Sequence, residues 1–224
     1  GIFFAFASNL YSASLSTSVR GALFSDAKLP MQYYYGSSEI FFPSGGNYDL
    51  GFTGVQAINP WSSDYSYGAY SAPGRGDTAS VLNAVDVGEI VADSMRATNL
   101  SFHEFSYLQS MDVDIRIDAK LELSGNGTEL RGTLSNKSPL SFDGATIQYD
   151  GKSYQLPKIG PGETLSIRAD ATEGETTYTI NDPKSVILTA LVKGIRPGPQ
   201  VGDLVESSKI MFVHCFGTGR EVFR

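Results

Sequence analysis

The chain has 224 residues, of which 41% are apolar and 12% aromatic, enough to bury a core and to exclude global disorder. A net charge of -7 with no basic run disfavours nucleic acid and anionic membrane surfaces as partners. Cys215 is the single cysteine, so an intrachain disulfide and a zinc site built on cysteine pairs are excluded.

Residues 2–7 form a short apolar run with no charged region before it. They read as an opening strand or as the stub of a membrane helix, with the strand favoured, and not as a signal peptide. No segment approaches the ~20 apolar residues of a transmembrane helix. Residues 11–19 read as a Ser-rich strand, and 31–35 and 39–42 as aromatic ones. After the turn Ser44-Gly45-Gly46-Asn47, residues 48–53 make another strand. Residues 59–78 are a Gly/Ser/Tyr/Pro-rich loop. Helical periodicity is almost absent: in 80–95, Gly88 falls mid-run and Val81, Val85, Val87 and Val91 make no 3.6-residue stripe. Strands resume at 85–96 and 100–108.

The second half is more regular. Ile115, Ile117, Ala119, Leu121 and Leu123 alternate with Arg116, Asp118, Lys120 and Glu122, and Gly125-Asn126-Gly127 then turns the chain. Leu130 and Leu134 resume an apolar face, and Asp150-Gly151 turns a second hairpin between Tyr149 and Tyr154. The expected strands are 113–123, 128–135, 145–149, 153–156, 164–168, 176–180 and 186–192. Seven short strands with turn signals between them are what an immunoglobulin-like sandwich requires. The fold class is therefore all-β: an immunoglobulin-like β-sandwich over 111–195, preceded by a less regular β-rich domain, 1–110, with a long aromatic loop. In the remainder, 196–224, Arg196-Pro197-Gly198-Pro199 breaks the pattern before a final strand at 209–216. That strand either returns to the first domain or closes the second.

The run Leu130-Arg131-Gly132-Thr133-Leu134-Ser135-Asn136, then Phe142-Asp143-Gly144-Ala145, then LPKIGPGETLS over 156–166, resembles immunoglobulin-like modules of bacterial surface proteins. It is particularly similar to the β-rich extracytoplasmic part of uncharacterised membrane-anchored proteins of Gram-positive bacteria. The resemblance covers about residues 84–192. It implies a cell-surface or envelope location, anchoring through segments outside this chain, and a protein or envelope partner. It carries no catalytic residue and no cofactor.

Candidate chemistry is sparse. Asp112, Asp114 and Asp118, which alternation over 111–120 puts on the polar face of a strand, could share a calcium ion, but a straight strand spreads alternate carboxylates ~7 Å apart. A solvated face is the better reading. His103 and His214 are the only histidines. His214 and Cys215 are strand neighbours pointing to opposite faces, so they form no nucleophile–base pair. No metal or cofactor is called for. Arg75-Gly76-Asp77 is an integrin-type tripeptide, and Asn99, Asn126 and Asn136 open glycosylation patterns; chance accounts for these. A glycosidase-type carboxylate pair has nothing pointing to it.

Trp61, Tyr65, Tyr67 and Tyr70 lie in the loop with Asn59, Ser62, Ser63 and Asp64, the composition of a sugar-stacking platform. The same composition describes a loop pinned down by its aromatics, which is favoured. The sequence expectation is a non-enzymatic interaction or structural module, with glycan binding through Trp61, Tyr65, Tyr67 and Tyr70 as the alternative.

Overall fold

The computed structural model describes residues 14–29, 31–61, 81–86, 89–173, 184–199, 201–205 and 208–223, and for 56–61, 81–86, 89–95 and 173 the backbone alone. Strands β1 (Ser16–Asp26), β2 (Gln32–Phe42), β3 (Gly46–Thr53), β4 (Val55–Trp61), β5 (Val81–Asp86), β6 (Glu89–Ala97) and β7 (Ser101–Met111) come first. Then follow β8 (Ile117–Leu123), β9 (Glu129–Asn136), β10 (Ser141–Tyr149), β11 (Lys152–Gln155), β12 (Thr164–Glu173) and β13 (Ser185–Lys193). The chain closes with β14 (Asp203–Leu204), β15 (Lys209–Thr218) and a single helical turn, α1 (Gly219–Val222). The all-β expectation holds among the described residues.

Two compact units emerge: Gly1–Gly21 with Tyr34–Ser110 and Arg196–Ser208, and Ala22–Tyr33 with Met111–Ile195 and Lys209–Arg224. Both β1 and β2 pass from one unit into the other. In the first unit, β4 pairs antiparallel with β7, and β3, β6 and β5 form a separate antiparallel sheet. Its core is aromatic, with Tyr34, Phe42, Phe52, Phe105 and Tyr107 all buried. Ser38 Oγ and Tyr107 OH are hydrogen-bonded at 2.8 Å, and burial pushes the Tyr107 phenol up to about 12.

The aromatic stretches 31–35 and 39–42, expected as two strands, form the single strand β2. The reason is Gly36. Its missing side chain leaves room for β1: a Cβ there would lie 2.3 Å from the Arg20 carbonyl, and one on Gly21 would lie 2.5 Å from that of Tyr35. Gly36 is thus a close approach between strands and not a breaker. Expected strand 85–96 likewise divides, into β5 and β6. Expected strand 176–180 lies outside the described residues.

In the second unit, β8, β9 and β12 pair antiparallel, with Ala119 opposite Leu134 and Leu165 opposite Leu134 on its other side. A second set runs β11, β10, β13, β15, also antiparallel, with β1 next to β15. Strand β12 belongs to both: residues Thr164 to Asp170 pair with β9, and Ala171 to Glu173 with β11. Leu121, Leu130, Leu134 and Ile167 from the first set and Phe142, Ile147, Leu188 and Phe212 from the second are buried. Phe142 stacks on Phe212 at 4.8 Å and 20°. The Asp150-Gly151 turn has both residues at positive φ, 51° and 72°, as a two-residue hairpin turn of type I′ requires.

Candidate binding edge

One groove stands out in the second unit. With a volume of about 860 Å³, it runs along β8 and is walled opposite by Phe216, Glu221 and Val222. Among the described strands, β8 pairs with β9 alone, so its other side is an edge.

Backbone geometry says which groups that edge presents. Lys137 donates its N–H to the Arg116 carbonyl at 2.8 Å, and Ser124 to that of Glu129 at 2.9 Å. Hydrogen-bonded pairs alternate along an antiparallel ladder, so Asp118, Lys120 and Glu122 also aim their N–H and C=O at β9. Ile117, Ala119 and Leu121 therefore aim theirs outward. At Leu121 the chain itself answers, through an isolated parallel bridge to Phe223. Among the described residues, none pairs with the Ile117 and Ala119 groups, which face the groove.

The far wall is held by local chemistry. Thr218 N-caps α1 in a capping box with Glu221: its backbone N–H and its hydroxyl donate to Glu221 Oε2 at 3.0 and 3.2 Å. Lys28 donates to both Glu221 oxygens, at 2.9 and 3.0 Å. The Thr218 N–H first, and then Lys28, pull the Glu221 carboxyl down to about 2. Phe223 packs edge-on against Tyr149, ring centres 4.8 Å apart, and Gly219 lies so close under that ring that a Cβ would sit 2.4 Å from it.

The residues singled out from sequence go elsewhere. Trp61 ends β4 in register with Glu104, while Tyr65, Tyr67 and Tyr70 lie outside the described residues, as do Arg75, Gly76 and Asp77. The expected strand 113–123 begins only at Ile117, because residues 112–116 form a connection, so the three aspartates do not share a strand face. Arg116 grips Asp114 with two hydrogen bonds, at 2.8 and 2.6 Å, and Lys137 pairs with Asp118. Among the described residues, no cluster of three or more His, Cys, Asp or Glu side chains is placed to hold a metal.

His103 is buried edge-on against Phe42 at 5.3 Å. His214 is buried, with Nδ1 3.0 Å from Ser25 Oγ, while Cys215 is half-buried. Asn136 is fully buried; its amide nitrogen donates to the carbonyls of Leu140 at 2.7 Å and Gly160 at 2.9 Å, which leaves none of it for a glycan. No described helix is long and apolar enough to cross a membrane.

Sequence reading missed Phe216, Glu221 and Val222 as a wall. The signal was present in Thr218-Gly219-Arg220-Glu221, which has the spacing of a capping box.

The sequence profile of a domain of unknown function, DUF8725, matches residues 116–209, less than half of the chain. No curated protein matches. Two solved structures are similar over most of their length. One is the Fcho1 Mu homology domain of Danio rerio with bound Eps15 peptide, at 11% identity and a TM-score of 0.38, covering 92% of this chain and 98% of that one. The other is the yeast delta-COP-I mu-homology domain complexed with a Dsl1 WxWxV peptide, at 7% identity and 0.37, covering 91% and 96%. Likeness at that level does not bear on what this chain binds.

Proposed function

We propose that this chain is a non-enzymatic protein-interaction module in the extracytoplasmic part of a membrane-anchored bacterial surface protein, and that its second unit is an immunoglobulin-like sandwich. Supporting the sandwich, successive strands hop between the two pairing sets, from β9 to β10 and from β12 to β13, as the strands of such domains do. The resemblance over 130–166 supports the location. The absence of enzymatic work is supported by where the titratable groups go: Asp114 and Asp118 to cations, His214 Nδ1 to Ser25.

The observation that carries the interaction role is the open β8 edge beside a walled groove. Unpaired strand edges attract strands, and partners that dock by strand addition use them.

A photo-crosslinking residue in place of Asp118, in the native cell, tests this role. A discrete protein adduct there, and none from a control at Arg168 on β12, is the expected result; no adduct from a folded protein overturns it. For the location, Lys158→Cys in a Cys215→Ser background should react with a membrane-impermeant maleimide on intact cells. Labelling only after lysis overturns it.

A further inference from the structure

We propose that the β8 edge takes an extended segment of a partner protein, apolar at alternate positions and carrying an acidic side chain opposite Lys120. This rests on the interaction-module reading and adds the chemistry of the occupant.

The open stretch is short. From Ile117 to the Leu121–Phe223 bridge is four residue steps, ~14 Å at strand spacing. A guest strand lying ~4.8 Å from β8 would exchange hydrogen bonds with Ile117 and Ala119. Alternate guest side chains would then enter the groove, where Ile117, Leu121, Phe216 and Val222 offer apolar contact.

The others would lie beside the exposed row Asp118, Lys120, Glu122. On the β9 side the two acids already face cations: Lys137 pairs with Asp118, and Arg131 stands opposite Glu122. Lys120 faces Thr133 and makes no ion pair among the described residues. It is the one charge in the row with no opposite charge across from it on the β9 side. A lysine in the middle of an edge strand also repels indiscriminate pairing. An acid-bearing guest removes that repulsion and a basic one adds to it, so one residue both guards and selects.

The test uses the full chain, isotope-labelled for NMR, at pH 7.5 and 0.15 M salt, where screening confines charge effects to within ~8 Å. The probes are acetylated, amidated hexapeptides alternating valine with threonine, in which the one central threonine is replaced by glutamate or by lysine. The glutamate peptide should shift the amides of Ile117, Ala119, Phe216 and Val222. It should bind about fivefold more tightly than the lysine peptide, from one cross-strand charge pair gained against one clash, even though the protein carries net charge -7. Lys120→Glu, at an exposed position, should reverse the preference.

Shifts at these amides with equal affinity for both peptides, or a preference unmoved by Lys120→Glu, overturn the acidic occupant and leave the interaction edge standing. Shifts with neither peptide overturn strand addition at β8. If the crosslinker at Asp118 also finds no partner, the interaction reading falls with it. A concentration-dependent dimer that shifts the same amides without peptide assigns the edge to a second copy and overturns the proposal.

Discussion

His214 turns its Nδ1 toward Ser25 Oγ, 3.0 Å away in the core of the second unit, while its Nε2 has no hydrogen-bond partner among the described residues. Phe212 stacks parallel to the imidazole at 5.9 Å and Phe216 meets it edge-on at 4.7 Å. Burial in this apolar setting disfavours the imidazolium and drives the pKa down to about 4 from 6.5, with Asp26 opposing weakly. The unfolded chain therefore binds the His214 proton more readily than the folded one. Above pH 6.5 the group leaves stability untouched; as pH falls from 6.5 through 4 it removes about 3 kcal/mol. Urea melts between pH 7.5 and 4 should show this loss, and His214→Phe should flatten it. An unchanged slope in the variant refutes the assignment.

Asn136 is a hub of the β9–β10 connection. Besides its two donated bonds, its Oδ1 accepts from the Ser138 N–H at 3.0 Å and the Ser138 hydroxyl at 2.5 Å. Truncation leaves buried carbonyls and an N–H without partners, so Asn136→Ala should cost about 3 kcal/mol, and Ser138→Ala about 1 kcal/mol. Chemical denaturation of both variants checks the ratio. Equal costs would mean that the amide is not the hub.

How much of this was legible in the sequence depends on what each residue answers to. Ile117, Leu121, Leu130 and Leu134 showed their strands because one face is buried, and burial writes itself as alternation. Asp150-Gly151 showed its turn because few residues tolerate that backbone. The expected split between 31–35 and 39–42 was not there, since a glycine such as Gly36 reads alike whether it breaks a strand or lets one approach. Asp112 and Asp114 misled in the opposite sense: the alternation ran on through 112–116, while the ladder starts at Ile117. That β8 is an edge was not readable at all, because edge position is set by which strands arrive beside it. Phe223 reaches Leu121 from a hundred residues away.

Gly132 shapes the back of the same strand. It stands opposite Leu121 with φ 140°, and a Cβ there would lie 2.0 Å from the Lys120 carbonyl oxygen. Gly132→Ala must therefore push β8 away from β9 or twist the backbone. A cost of about 2–4 kcal/mol is expected from strain and overpacking together. The readout is a lower urea midpoint with amide shifts concentrated at Lys120 and Leu121. A neutral variant would show that the two strands are not so closely apposed.

Glu221 should control the groove without controlling the fold. Lys28 and Glu221 are both exposed, so their pair adds little to global stability. What the carboxylate does is local: it holds Thr218 and Lys28 at the N-terminal end of α1, and so fixes the turn that delivers Phe223 to Leu121. Because its folded pKa is depressed to about 2, the clasp is complete above the ordinary glutamate value of 4.5 and is lost as pH falls through 2. Glu221→Gln removes the charge at neutral pH. Hydrogen exchange at Leu121 and Phe223 should then accelerate severalfold while the melting temperature stays within about 2 °C of the parent. Exchange at Leu121 unchanged by the substitution would mean that Tyr149 and Gly219 alone hold the C-terminal turn, and that Glu221 is a bystander on the wall of the groove.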